Sequence, residues 1–205
     1  MASKPLWRHD RQGWLQQVQQ WVDAPRPESL LNVDIFYDLQ PVWGDRSLAE
    51  DLRNAALQAA SRSVVFLKAL SMKLEGFTPP IGMFGRFRTD QGMVDLKIGG
   101  LFPIVAGART LALRYRIAAT GTAERLAAVH ALGHLNTGDL NALTIAHQTI
   151  LGAMLRQQIA DIAAGLEPGN KVDVRRLDRP TRSVLASMVK RLQFAPQMVR
   201  GALMD

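Results

Sequence analysis

Three histidines stand at spacings that could hold a metal ion. His130 and His134 lie four residues apart on one predicted helix, and His147 lies on the next helix. Residues i and i+4 share a helix face, and paired histidines at that spacing bind zinc in some enzymes. However, no glutamate adjoins His130, Gly133 loosens the turn, and His147 falls on an apolar stripe. The pattern therefore favours ordinary core or surface histidines.

Two carboxylates form the second candidate group. Asp34 and Asp38 belong to residues 33–39, whose β-branched and aromatic side chains predict a strand. Because side chains alternate across a strand, both aspartates are expected on one of its faces. Either of them could instead cap a loop or face solvent.

Several catalytic classes are excluded. The chain contains no cysteine, which rules out disulfides, thiolate zinc sites and cysteine nucleophiles. It has neither the G-x-S-x-G motif of serine hydrolases nor a phosphate-binding P-loop. The spacing Gly82-x-x-Gly85 lacks the rest of a dinucleotide fingerprint. P-loop ATPase and dehydrogenase functions are therefore not predicted.

The elements that would position these residues are mostly helices, because apolar residues recur at helical spacing through most of the 205 residues. One such stripe carries three tryptophans: Trp7, Trp14 and Trp21. Two short β segments, 83–88 and 93–97, flank Thr89-Asp90-Gln91-Gly92, which predicts a hairpin turn. We expect an α+β, predominantly helical fold: an antiparallel helix bundle with one N-terminal strand and a small β-hairpin at 83–97.

The net charge is +7, and the basic excess lies late in the chain. Residues 168–205 carry eight Lys and Arg against three Asp, whereas residues 1–50 carry five against seven Asp and Glu. A basic tail could meet nucleic acid, but no aromatic residues for base stacking are interleaved with these cations, so this partner is disfavoured. The longest apolar run, 98–108, is too short for a membrane span, and the N-terminus lacks the apolar core of a secretory signal. We expect a cytoplasmic protein without a membrane partner.

Two sets of motifs follow one another in the order and spacing of a known family. The first set comprises Trp21, Pro27-Glu28-Ser29-Leu30-Leu31, Ile35-Phe36-Tyr37-Asp38-Leu39 and Gly44-Asp45. The second set comprises Phe66-Leu67-Lys68, Pro79-Pro80, Asp95-Leu96-Lys97-Ile98-Gly99-Gly100, Leu101-Phe102-Pro103-Ile104-Val105, Ala108-Arg109, Thr122-Ala123-Glu124-Arg125-Leu126 and Gln157-Gln158. Together they resemble the DUF294 family of nucleotidyltransferases, and the resemblance covers nearly the whole chain.

The resemblance implies two parts. Residues 1–45 are similar to the end of the palm-like transferase domain, a helix plus its last strand, and residues 46–205 are similar to the C-terminal helical bundle, with its hairpin at 83–97. Members of the family resemble the uridylyltransferases that modify the PII protein, and they often carry cyclic-nucleotide-binding and CBS modules upstream. The implied function is nucleotidyl transfer in signal transduction, with a nucleoside triphosphate as substrate and a protein as a candidate acceptor.

The resemblance also assigns candidate catalytic residues. Asp38 matches the third metal-binding carboxylate of the polymerase-β-like superfamily, and Asp34 is the second candidate. Carboxylates that converge on two Mg²⁺ ions neutralise the triphosphate and activate the attacking oxygen. The chain has no Gly-Ser dipeptide and no Asp-x-Asp pair, and Gln40 stands where the family has Arg. We therefore expect the chain alone to be inactive and to need an upstream nucleotidyltransferase segment, with Mg²⁺ bound only in the complete site; a free-standing degenerate copy would have the same sequence.

Four further residues are candidates for nucleotide binding: Lys97, Asp95, Arg109 and Arg125. Lys97 could reach a phosphate with Asp95 orienting it, or the two could close the hairpin as an ion pair. Arg109 could pair with a buried carboxylate such as Asp95 or extend to solvent. Arg125 could contact a substrate or only the bundle.

Two alternatives remain open on the sequence alone. The chain could be a basic module that binds nucleic acid through Arg175, Arg176, Arg179, Arg182, Lys190 and Arg191. It could also be a dimerisation module without catalysis, with a homodimer as the partner state. If the catalytic half is elsewhere, we expect exposed apolar surface, or burial by dimerisation, on the face bearing Asp34, Phe36 and Asp38 or on the tryptophan stripe.

Overall fold

The computed structural model describes residues 4–204, apart from the side chain of Glu28. The predicted predominantly helical α+β class is confirmed. The helices are α1 (Arg11–Asp23), α2 (Pro27–Phe36), α3 (Arg46–Arg62), α4 (Val64–Glu75), α5 (Phe102–Arg114), α6 (Thr122–Ala131), α7 (Thr137–Ala163), α8 (Arg179–Arg191) and α9 (Ala195–Met204). One small antiparallel sheet pairs β1 (Met93–Asp95) with β2 (Lys171–Asp173). Within residues 4–204, no helix is both long enough and apolar enough to cross a bilayer.

The strand predicted over 33–39 is wrong, because most of this segment belongs to α2. Pro27 occupies the first turn of α2, where its fixed φ favours a helix. Leu30, Val33 and Phe36 are all buried at a spacing of three residues, which is one face of a helix. The β-branched residues are therefore stabilised in a helix by the tertiary contacts of that face.

The hairpin predicted at 83–97 is half correct. The tight turn exists: the backbone amides of Asp90 and Met93 donate to each other's carbonyls, at 3.0 and 2.8 Å. Gln91 and Gly92 between them have positive φ angles of 51° and 86°. However, residues 83–85 form a 3₁₀ turn, and the strand that pairs with β1 is β2, nearly 80 residues later. The predicted pairing partner was therefore wrong.

Two hydrophobic clusters form the interior. The larger one joins α5, α6, α7 and α8 with both strands, and Leu111, Leu126 and Ile150 are fully buried in it. The smaller cluster joins α1, α2, α3 and α4, with Val33 and Phe66 fully buried. The first two helices thus share a core with the two that follow, and the division of the chain at 45/46 stays a prediction.

The tryptophan stripe is covered in part within the chain: Trp21 is buried, whereas Trp7 and Trp14 are half-buried, and burial by a dimer stays a prediction. Trp21 is 4% exposed and Phe36 of α2 is 3% exposed. Their ring centroids lie 5.5 Å apart with the edge of one ring towards the face of the other. Trp14 lies 5.3 Å from the same Phe36 ring and 6.1 Å from Trp7. Helix α2 therefore supplies part of the surface that covers the stripe.

Candidate functional site

Both aspartates singled out in the sequence lie at the C-terminal end of α2. Asp34 is in its last turn, and Asp38 follows the helix by two residues. Residues four apart share a helix face, so the common face predicted from strand alternation exists for a different reason. The two carboxylates face cations from three other helices.

These contacts form one continuous chain of ion pairs. Lys73 of α4 donates to Asp34 Oδ2 at 2.8 Å. Arg109 of α5 lies between the aspartates, with Nη1 3.3 Å from Asp34 Oδ1 and Nη2 bonded to Asp38 Oδ2. Arg125 of α6 bonds the remaining Asp38 oxygen at 2.6 Å. We call these five residues the charge relay; they connect α2 to α4, α5 and α6.

The most deeply buried member of the charge relay is Arg125, which is 3% exposed. Burial lowers the pKa of its guanidinium, an effect that the hydrogen bond with Asp38 opposes. Its Nε also donates to the carbonyl of Ala119 at 2.8 Å. Of the two functions considered for Arg125, the geometry favours a structural one. Asp38 supplies the negative charge that allows this cation to be buried.

The relay has an excess of positive charge. Arg53 of α3 lies close enough to lower the pKa of Arg125 by repulsion, and it donates to the carbonyl of Leu39. The buried Nε atoms of Arg53 and Arg109 find no hydrogen-bond partner among the described residues. The three cations of the relay, with Arg53 nearby, thus outnumber the two carboxylates, so loss of either carboxylate would leave like charges uncompensated.

These residues do not fit a Mg²⁺ ion by themselves. Both oxygens of Asp38 are bonded to guanidinium groups, whose positive charges oppose a bound cation at this carboxylate. In the part of the chain that the structure describes, no three His, Asp or Glu side chains converge as a metal site. The catalytic and metal roles implied for Asp38 and Asp34 therefore receive no support from this geometry.

The three histidines lie apart from this region. His130 Nδ1 is 2.6 Å from the carbonyl of Leu135, and the His134 ring stacks on Tyr115 with centroids 3.8 Å apart. His147 is partly buried, and burial lowers the pKa of its imidazole. The side chains of these three histidines therefore do not converge as a metal site.

Asp95 and Lys97 do not form the predicted ion pair. Asp95 Oδ1 instead accepts from the amide of Ile98 at 3.0 Å and caps the π-helical turn Lys97–Leu101, which leads into α5. Lys97 is exposed, and Arg109 pairs with Asp34 and Asp38 rather than with Asp95. The structure therefore separates the four nucleotide-binding candidates: Arg109 and Arg125 lie in the charge relay, and Asp95 and Lys97 lie at the π turn.

The two glycines after Lys97 allow close packing around this turn. A Cβ on Gly99 would lie 2.6 Å from Pro80 Cγ, and a Cβ on Gly100 would lie 3.0 Å from Ile150 Cδ1. Neither distance accommodates a side chain without movement. The glycine pair is thus explained by the approach of the turn to Pro80 and to α7.

Beside this turn lies a groove with a volume of about 570 Å³, within the range of small-molecule sites. We call it the α4–α5 groove. Its lining residues are Lys73, Gly76, Phe77, Thr78, Pro80, Arg88, Val94, Asp95, Ile98, Gly99 and Phe102. Aromatic rings, two cations and one carboxylate thus border one open space, and Lys73 belongs to both the groove and the charge relay.

Sequence reasoning missed Lys73, Arg53 and Arg88. Lys73 adjoins the fully buried Leu74 on α4, which was a signal that its stem would be partly buried. Gln40 donates to Thr120 Oγ1 at 2.9 Å and so bridges two loops. No spacing in the sequence indicates that these distant residues meet.

The structure is that of a predominantly helical domain with ion pairs between its helices and an adjacent groove. Residues 64–202 match a family model described as "putative nucleotidyltransferase substrate binding domain", and the chain belongs to that family. This confirms the resemblance to the C-terminal part of DUF294. No curated protein and no solved structure matched the chain.

Proposed function

We propose that this chain holds the nucleotide substrate of a nucleotidyltransferase in the α4–α5 groove and acts with an upstream catalytic segment. The observation that carries the proposal is the combination of aromatic and cationic groups around one groove in a domain of this family. Phe77 and Phe102 offer apolar faces to a base, and Arg88 offers charge-assisted hydrogen bonds to phosphate. Any Mg²⁺ of the complete enzyme would need carboxylates from the catalytic segment.

The wider role follows the family resemblance. We propose that the complete protein is of the PII-uridylyltransferase type, works in signal transduction in the cytoplasm, and transfers a nucleotide to a protein acceptor. The alternative of nucleic-acid binding is weaker, because Arg175 and Arg176 are both directed to Asp173, at 2.8 and 3.7 Å. Two of the six cations that would meet phosphates thus already have a carboxylate partner.

Titration calorimetry with ATP, UTP and GTP, each in the presence of Mg²⁺, tests the groove. Arg88 is an exposed groove residue, and Arg86 is an exposed arginine two positions away that does not line the groove. We expect Arg88→Ala to weaken binding about tenfold, the value of one charge-assisted hydrogen bond. Arg86→Ala is the matched control and should leave the affinity unchanged.

Two results would contradict the proposal. One is an absence of binding by every nucleotide tested, and the other is an equal affinity in the wild type and Arg88→Ala. Asp38→Asn supplies a further contrast, because Asp38 does not line the groove. We expect this variant, at a temperature where it remains folded, to bind nucleotide as the wild type does.

A further inference from the structure

Lys73 of α4 belongs to both the α4–α5 groove and the charge relay. Its Nζ atom donates to Asp34 Oδ2 at 2.8 Å and to the carbonyl of Leu30 at 3.2 Å. An ammonium group has three hydrogen atoms, so these two bonds to described residues leave one donor for a ligand. The side chain is partly exposed and lines the groove. Lys73 is thus held by α2 and remains accessible from the groove.

The charge of Lys73 is the surplus positive charge of the relay. The relay contains three cations and two carboxylates, so without Lys73 two guanidinium groups would face two carboxylates. Asp34 would keep a partner, because Arg109 Nη1 lies 3.3 Å from its other oxygen. Lys73 can therefore bind another anion without leaving a relay carboxylate unpaired.

The ion pair between Lys73 and Asp34 is open to competition. The two side chains are 26% and 28% exposed, and an ion pair in contact with water shifts an equilibrium by about fivefold or less. A polyphosphate chain carries several negative charges and accepts several hydrogen bonds, so it attracts an ammonium group more strongly than one carboxylate does. Arg88 lines the same groove and adds a second cation.

We propose that Lys73 binds a polyphosphate chain in the α4–α5 groove and that the Asp34 carboxylate competes for the same ammonium group. This inference rests on the proposed function, in which the polyphosphate chain is that of the nucleotide. Because coupling between two contacts is reciprocal, a bound polyphosphate weakens the contact of α2 with α4. The affinity of the groove is thus regulated by α2, which lies outside the matched residues 64–202.

Titration calorimetry of the 205-residue chain with inorganic tripolyphosphate tests the role of Lys73. This probe has no base and no ribose, so it measures the contribution of charge. Lys73→Met keeps the apolar stem and removes the ammonium group, and we expect it to weaken binding about tenfold. The matched control is Lys68→Met, because Lys68 is an exposed lysine of the same helix that does not line the groove; its affinity should equal that of the wild type.

Asp34→Asn should have the opposite effect and tighten binding roughly three- to fivefold, because the competing charge is removed. A merely structural role for Asp34 would not produce tighter binding. In the Lys73→Met background, Asp34→Asn should leave the affinity unchanged, which separates competition for Lys73 from a general loss of repulsion. Asp38→Asn removes a carboxylate that pairs with Arg109 and Arg125 instead, and it should bind as the wild type does.

Circular dichroism would establish that each variant is folded at the temperature of the titration. The inference is overturned if tripolyphosphate does not bind, if Lys73→Met binds it as tightly as the wild type, or if the gain from Asp34→Asn persists without Lys73.

Parallel titrations with ATP distinguish this inference from the proposed function. Nucleotide binding that depends on Arg88 but not on Lys73 would overturn the inference and leave the proposed function intact. Tripolyphosphate binding that depends on Lys73, without binding of any nucleotide, would support the inference and contradict the proposed function.

Discussion

Replacing Asp38 with asparagine should destabilise the protein by removing the negative charge that Arg109 and Arg125 share. Arg125 is 3% exposed, and removal of one partner from a buried pair costs about 3–5 kcal/mol. The Asp38 carboxylate is 37% exposed, so water can compensate in part, and we expect a loss of about 2 kcal/mol. In urea unfolding this corresponds to a midpoint lowered by about 1 M, with an unchanged slope.

The chain offers a matched control in Asp90, whose carboxylate lies 3.5 Å from Lys171 Nζ. These partners are 77% and 55% exposed, so Asp90→Asn should change the free energy of unfolding by less than about 0.5 kcal/mol. If Asp38→Asn were as harmless as Asp90→Asn, Asp38 would not be the counter-charge of the relay. A functional role for its carboxylate would then have to be reconsidered.

Two further predictions concern packing and acid stability. Gly99→Ala should lower the free energy of unfolding by about 1–3 kcal/mol, because the new Cβ would lie 2.6 Å from Pro80 Cγ. Gly201→Ala in α9, with no atom within 4 Å, should raise it by about 0.5–1 kcal/mol; equal effects in urea unfolding would refute this account of Gly99. The pKa of Asp173 is lowered to about 2 by hydrogen bonds from Arg175. Its stabilising contribution is therefore complete above the unfolded value of about 3.9 and is lost as the pH falls towards 2, so Asp173→Asn should unfold with less acid dependence over that range.

The sequence predicted the helical class and the family correctly, but it misassigned α2. Residues 33–39 satisfy both a strand pattern and a helix pattern, because short apolar segments with β-branched residues are ambiguous in period. Only the burial of Leu30, Val33 and Phe36 against α1 decides between the two. Both assignments bring Asp34 and Asp38 together, so their proximity was predicted from an incorrect element, and their role as a site stays a prediction.

Long-range partners were beyond what the sequence could show. The turn at Gln91-Gly92 was predictable because a positive φ favours glycine locally. The pairing of β1 with β2 depends instead on how α5, α6 and α7 fold between them. In the same way, neither Arg109 nor Arg125 is near Asp38 in sequence, and Arg109 had been expected to pair with Asp95 or extend to solvent. Charged residues within apolar stripes indicate that a counter-charge exists, but not where it is.

The charge relay crosses the boundary of the region that matches the family. The matched residues 64–202 contain the cations Lys73, Arg109 and Arg125, whereas both carboxylates lie earlier, on and just after α2. A protein truncated to residues 64–202 would keep these three cations and lose both anions that neutralise them, and it would also lose the helices α1–α3 that pack against α4. The region that matches the family model is thus not self-sufficient in charge. A fragment that keeps these ion pairs must therefore include α2.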